Sequence, residues 1–370
     1  MQKDFIFTSE SVCAGHPDKI CDQISDAIVD AVLSIDPYGR VAIETLVSEN
    51  QVVIAGEVTS EKKVNYEKIA RREIKRLGYT EPLYRFTDNS PVYVNVHEQS
   101  CEIAQGVDEA GAGDQGMMFG YATDESTNFM PLPIELAHCL AMRLDEVRES
   151  GLLSYLRPDG KTQVSIRYKN NKPAEVTSVV IAVPHSEKVK LHQVKSDVFQ
   201  SVVHWVLDTY GFTFFAKDLV VNGTGVWHIG GPASDTGVTG RKIVVDTYGG
   251  FARVGGGAFS GKDPTKVDRS GAYAARFIAK NIVAHGLAKK AEVRLAYVIG
   301  VKKPLMQEVE TFGTETVSFK ILREFVSRLI DTSVSGIIKK LDLRKPQYLT
   351  TAAYGHFGRE GFNWEKIEKN

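Results

Sequence analysis

The chain has 370 residues, 43% of them hydrophobic and 25% charged, and a formal net charge of −1. This length can hold two or three cores of ordinary size, and a balance so near neutrality excludes a general polyanion binder, so phosphate recognition has to come from a local cluster. No run approaches the ~18 apolar residues of a membrane span, and Asp4 and Ser9 interrupt MQKDFIFTSES too early for a secretory leader, which predicts a cytoplasmic protein. Cys13, Cys21, Cys101 and Cys139 form no CxxC pair and read as reduced, partly buried thiols.

In chain order, a short strand is expected at 4–7. A helix over 17–34 follows, with Ile20, Ile24, Ala27, Ile28, Ala31 and Val32 as its apolar stripe, stopped by Asp36-Pro37. Alternating strands are predicted at 40–48 and 51–59, then a helix near 64–77 closed by Gly78, then an extended VYVNV. The order recurs with a strand at 117–122, a helix at 131–149, strands near 162–168 and 176–183 and a helix at 190–209. It recurs again with a strand at 242–247, a helix at 267–285, strands near 291–300 and 305–312 and a helix at 318–330. Strand-helix-strand-strand-helix three times predicts an α/β (α+β) fold of three similar units in pseudo-symmetric arrangement. The expected units are 1–100, 112–228 and 230–366. In each, helices would cover one sheet face and leave the other for a partner unit or subunit, which predicts an oligomer.

Chemistry concentrates in five motifs. In GGGAFSGKDPTKVDRS (255–270), three glycines let backbone N–H groups approach an anion, while Lys262, Lys266 and Arg269 add cations before a helix start. Asp268 stands in that first turn, where it can cap the helix or hold a divalent metal. The segment is not a P-loop: Asp263 replaces the Mg²⁺-ligating hydroxyl, and Pro264 blocks the helix start a P-loop needs. AGHPDK (14–19) sets His16 and Asp18 at a helix N-terminus, with Pro17 at its first position. SDTGVTGRKIVVDTYGG (234–250) contributes Arg241 and Lys242, with a turn flanked by solvated side chains as the plainer reading. RPDGK (157–161), carrying Asp159 and Lys161, reads by itself as a surface turn. GVDEAGAGDQGMMFG (106–120) reads as a mobile lid or surface loop, with Asp114 and Gln115 placed to touch a ligand. Glu44 and Glu57 interrupt apolar strand patterns and need a lysine, a metal or a ligand ammonium as partner. No nucleophile-base-orienter set can be assembled.

Taken together, TSESVCAGHPDKICDQISDA, GAGDQGMMFGYAT, GPASDTGVTGRKIVVDTYGG, GGGAFSGKDPTKVDRSGAYAAR and TAAYGHFGRE closely resemble S-adenosylmethionine synthetases, from about Phe7 to Trp364. The resemblance implies three α/β units about a pseudo-threefold axis, and a dimer with interfacial active sites, paired into a homotetramer. Its substrates would be ATP and L-methionine, with no nucleic acid or membrane partner, and its cofactors two Mg²⁺ and one K⁺. It also implies that His16, Asp159, Lys161, Asp235, Arg241, Lys242, Ala258 and Lys262 contact ATP, with His16, Lys161, Arg241 and Lys262 catalytic. Asp18 and Asp268 match Mg²⁺ ligands and Glu44 the K⁺ site. Glu57, Gln99, Asp114, Asp235 and Lys266 match residues around methionine, and 99–113 the mobile active-site loop. Val226-Trp227 occupies the position where many members carry Arg-Phe, the aromatic stacking on adenine. The 99–113 loop is shorter than in many bacterial members, and Gly223 stands where proline is common. The implied reaction is attack of the methionine thioether on C5′ of ATP, followed by cleavage of the triphosphate to phosphate and pyrophosphate. Rival readings are a phosphotransferase, which would leave ADP, and a silent nucleotide-binding homologue.

Overall fold

The computed structural model describes residues 4–98 and 111–369. Its strands are β1 (Phe5–Val12), β2 (Arg40–Ser48), β3 (Gln51–Thr59), β4 (Val92–His97), β5 (Gly116–Thr123), β6 (Lys161–Lys169), β7 (Lys172–Ala182), β8 (Leu219–Val221), β9 (Gly237–Val238), β10 (Lys290–Tyr297) and β11 (Met306–Glu310). Among the described residues they form three sheets, ordered β4-β3-β2-β9, β1-β6-β7-β8 and β11-β10-β5.

The connectivity is cyclic. Each strand expected to open a unit is delivered to the sheet of the following unit: β1 pairs antiparallel with β6, and β5 pairs antiparallel with β10. The third exchange, β9 onto β2, uses two residues, Leu46 and Val47 facing Val238 and Gly237. The strand expected at 242–247 is therefore misplaced. Residues Ile243–Asp246 form a short helix instead, and the strand lies upstream at Gly237–Val238. An apolar IVV run does not distinguish strand from helix, and here tertiary contacts decide.

The helices are α1 (Pro17–Ile35), α2 (Tyr66–Arg76), α3 (Leu132–Glu149), α4 (Leu191–Val198), α5 (Trp205–Thr209), α6 (Ile243–Asp246), α7 (Val267–Ala284), α8 (Phe319–Leu329) and α9 (Val334–Lys340). The helix expected over 190–209 is interrupted by a wider π turn at Phe199–His204, between α4 and α5. α1 begins where His16, in extended backbone, accepts the Asp18 N–H, and it ends at Asp36, ahead of a proline. α1 packs on β2, α3 on β1 and β6, and α7 on β5 and β10.

Two cores result. One surrounds α1 and α7, with Ile20, Ile24, Ile28, Ile43, Phe277 and Ile278 fully buried. The other joins α3 to β6 and β7 through Leu136, Leu140, Val164 and Ile181. α1 is buried on all sides from Pro17 to Val29, polar residues included. A helix that buries carboxylates must give each a partner. Those partners carry the candidate site. Cys13, Cys21 and Cys139 are free thiols, and Cys101 lies outside the described residues.

Candidate active site

Two cation-bearing segments are attached to one edge of β2. At its N-terminal half the Gly-rich segment bridges Ala42 through Lys262; Ile43 N–H donates to Gly261 O at 2.9 Å, and Asp263 N–H to Val41 O at 3.1 Å. At its C-terminal half β9 pairs with Leu46 and Val47, and Thr239 N–H donates to Thr45 O at 3.0 Å. Arg241 and Lys242 follow directly. One strand thus sets both segments.

Glycine is required at these joints. Gly261 has φ +82, and a Cβ there would lie 2.0 Å from Ile43 O. At Gly257 a Cβ would fall 2.1 Å from the Asp268 carboxyl carbon.

From beneath, Asp18, Asp22 and Asp26 project from one face of α1, four residues and about 6 Å apart. Asp18 Oδ1 accepts Val238 N–H at 3.0 Å and lies 3.2 Å from Arg241 Nε, while Oδ2 lies 2.5 Å from Lys242 Nζ. Its carboxyl is held below the usual range by Lys242 and the Val238 N–H, against a desolvation that pushes it up. Asp22 accepts Gly240 N–H at 2.8 Å, and Lys19, fully buried, donates to both Asp22 and Asp246. Desolvation raises the Asp246 carboxyl to about 7 even against that lysine. Asp26 takes Arg269 through both oxygens, at 2.7 and 2.6 Å.

His16 is 1% exposed. Its Nδ1 accepts the Asp18 N–H at 3.2 Å, so the ring proton is on Nε2, which has no partner among the described residues. Desolvation first, and Lys242 second, lower its pKa to about 3, so the ring is neutral. His16 is a buried neutral N–H donor set beside Lys242, Lys161 and Asp18. That suits an oxygen gaining negative charge.

The RPDGK segment is not a surface turn. Arg157 and Asp159 are buried, and Asp159 accepts Gly160 N–H at 2.7 Å and Gly231 N–H at 2.8 Å. Burial raises its carboxyl to about 6, with those two N–H groups and Lys161 opposing. It anchors the loop carrying Asp235, and Lys161 opens β6 opposite Val12, near His16. Trp227 donates its indole N–H to Ile229 O at 2.8 Å, and Val226 is exposed.

Lys262 Nζ lies 2.5 Å from Asp268 Oδ2. Beside them, Glu44 lies on the open face of β2; desolvation raises its carboxyl, Lys262 lowers it and Glu57 raises it. Glu57 lies 3.2 Å from His97. Lys266 turns inward to Asp263 Oδ2 at 2.5 Å and is 6% exposed. Asp263, the residue that excludes a P-loop, also accepts Val41 N–H and Thr265 N–H, which makes it a structural pin. Ala258 packs against Gly240, where a Cβ would come within 2.3 Å. The segment 106–120 is not lid or surface loop throughout: residues from Gly116 belong to β5, and 106–110 lie outside the described residues. Gly113 N–H donates to Thr265 O, which sets Asp114 near the Gly-rich segment. Gln99 and most of the 99–113 loop lie outside the described residues.

Two sets therefore form along α1, one around His16, Asp18, Lys161, Arg241 and Lys242, the other around Glu44, Glu57, Lys262 and Asp268. No three His, Cys, Asp or Glu side chains converge as a metal cage among the described residues. Single carboxylates beside phosphate-type cations are a donor set that fits Mg²⁺ shared with substrate phosphates. Sequence reasoning missed Lys19, Asp22, Asp26 and Asp246. Their signal was the four-residue spacing of α1's aspartates, which in isolation looks like a solvated helix face.

Three family models match the chain: S-adenosylmethionine synthetase N-terminal domain over residues 4–101, central domain over 109–227 and C-terminal domain over 229–366. The chain is 50% identical to an S-adenosylmethionine synthase of Clostridium tetani (strain Massachusetts / E88), covering 98% of this chain and 97% of that one. It is 52% identical to an S-adenosylmethionine synthase of Desulforudis audaxviator (strain MP104C), covering 98% and 96%. With matches across all three parts of its length and half its residues shared with those relatives, the chain belongs to the S-adenosylmethionine synthetase family.

Proposed function

We propose that the chain forms S-adenosylmethionine by attack of the methionine thioether on C5′ of ATP, then cleaves the released triphosphate to phosphate and pyrophosphate. The observation that carries this reading is His16, a neutral donor with an unpartnered Nε2–H amid cations. A thioether sulfur has no proton to lose, so the reaction needs no general base. It needs in-line placement and stabilisation of a departing polyphosphate. His16 donates to the leaving oxygen while Lys161, Arg241, Lys242 and Lys262 bind the phosphates. Asp159 and Asp235 hold the nucleoside side with Ala258, and Trp227, next to Val226, supplies a face for adenine. Methionine falls to Glu57, Asp114 and Asp235, with Gln99, which lies outside the described residues, and Lys266, which leaves Asp263 to reach it.

Asp18 and Asp268 would hold Mg²⁺ and Glu44 K⁺, two and one per site. When bound, these ions neutralise phosphate charge that the lysines alone leave uncompensated. The assembly is a dimer with interfacial sites, paired into a tetramer. Two observations support this: Asp18 and Asp26, which anchor the two sets, are eight residues or about 12 Å apart on α1, and the sheet face carrying Glu44 also exposes Tyr93. The units are 1–100, 112–228 and 230–366, and residues 99–110 of the loop expected at 99–113 lie outside the described residues. No described helix is long and apolar enough to cross a membrane.

Incubation with ATP, methionine, Mg²⁺ and K⁺ should yield S-adenosylmethionine, phosphate and pyrophosphate together. Folded protein that makes none of the three overturns the reading, and ADP as the product points to phosphotransfer.

A further inference from the structure

Lys262 follows a glycine of positive φ, Gly261, with glycines 255–257 upstream, and one side of its backbone lies along β2. Its backbone is also held at both ends. Asp26 Oδ1 accepts Gly261 N–H at 2.9 Å, just ahead of Lys262, and Arg269 Nη1 donates to the Lys262 carbonyl at 3.1 Å. Asp26 and Arg269 bind each other through two charge-assisted bonds and are both fully buried. The guanidinium is fixed in turn: it lies 4.2 Å from the Tyr348 ring centroid, and Nε donates to the Tyr273 hydroxyl at 3.1 Å.

A buried ion pair is weak evidence for stability, because apolar residues of equal volume often serve a core as well. Its geometry does something apolar residues cannot: it grips one N–H and one C=O that flank a single side chain. Arg269 also follows Asp268 directly, so the clamp spans both members of the Lys262–Asp268 pair. The device is repeated one turn earlier on α1, where Asp22, held by Lys19, takes Gly240 N–H just ahead of Arg241 and Lys242.

We propose that Asp26 and Arg269 are positioning residues for Lys262, setting the depth at which its ammonium meets the triphosphate without touching substrate themselves. This rests on the reading of Lys262 as a triphosphate contact. A shift of Lys262 by a fraction of an ångström weakens stabilisation of the departing group more than ground-state binding, so the effect falls on kcat.

The test is a cycle between Lys262→Ala and the neutral pair Asp26→Asn/Arg269→Gln, with S-adenosylmethionine formation and thermal unfolding measured for each. The neutral pair should unfold cooperatively and lose about 10–100-fold in kcat, with KM for ATP within about three-fold. On a Lys262→Ala background it should cost less than about two-fold more, because the residue through which it acts is gone. A folded neutral pair with kcat within about two-fold of the parent overturns the inference, as does the same loss again on top of Lys262→Ala. Parent-like turnover in Lys262→Ala alone overturns the role of Lys262 instead. If the neutral pair gives no soluble protein, Arg269→Lys keeps the charge and loses the bond to the Lys262 carbonyl, and the same outcomes decide.

Discussion

Lys262 Nζ and Asp268 Oδ2 lie 2.5 Å apart, and Lys242 Nζ and Asp18 Oδ2 repeat the same relationship at 2.5 Å in the other half of the site. Each of these two lysines rests on a carboxylate, and Asp18 takes Arg241 as well. A phosphate oxygen that engages the lysine frees the carboxylate, which then requires a cation in its place. ATP binding should therefore be linked to a divalent cation. Calorimetric titration with ATP in excess chelator should give at least about ten-fold weaker binding than with Mg²⁺. Equal affinity in both conditions would contradict the exchange.

Removing one well-placed charge or donor from such a site typically costs about 10²–10³ in rate. Lys262→Ala and His16→Ala should each lose turnover on that scale while remaining folded. Circular dichroism and product analysis on the same preparations check this, and parent-like rates in either variant refute the role given to that residue.

His16 is depressed from 6.5 to about 3, chiefly by desolvation, and His138 likewise to about 3. The unfolded chain binds protons at these rings below pH 6.5, whereas the folded chain does so only near pH 3. Their contribution to stability is thus fully present above pH 6.5 and is lost as pH falls toward 3. Melting temperature should drop steadily from pH 6.5 to 4, and His138→Gln should flatten that slope. Turnover between pH 6 and 8 should show no break from His16, which is neutral throughout that range. An imidazole-like break that vanishes in His16→Ala would count against this.

Trp227 uses its indole N–H on Ile229 O, so only its ring face remains for adenine. Trp227→Ala should raise KM for ATP by roughly 10-fold or more, in line with base stacking of ~1–3 kcal/mol, and leave KM for methionine within about two-fold. Trp227→Phe should stay close to the parent. Equal effects on both substrates would indicate a general loss of structure.

At Gly257 a Cβ would meet the Asp268 carboxylate, and no backbone group is among the near contacts. Gly257→Ala should displace Asp268 and raise the Mg²⁺ concentration needed for half-maximal rate, with little change in melting temperature. Gly255→Ala would instead meet Met117 O at 1.9 Å and should lower melting temperature as well.

The Gly-rich segment, the GHPDK helix start and the alternation of strands and helices were legible in the sequence because each is local. Pro17 preorganises a helix start, Asp263-Pro264 forbids a P-loop, and an apolar stripe every three or four residues marks a buried helix face. What only the tertiary structure decided is which strand joins which sheet, and where the aspartates of α1 point. Ile243–Asp246 is as apolar as a strand yet turns into helix, because the edge of β2 is taken upstream by Gly237–Val238. Asp22 and Asp26 carry the spacing of a solvated face, but α1 is enclosed on every side, so each must find a partner more than 200 residues away, Gly240 for one, Gly261 and Arg269 for the other. Burial of a charge is a property of the whole fold. The sequence therefore determined which residues can do the chemistry, and the fold decided which residues hold them there.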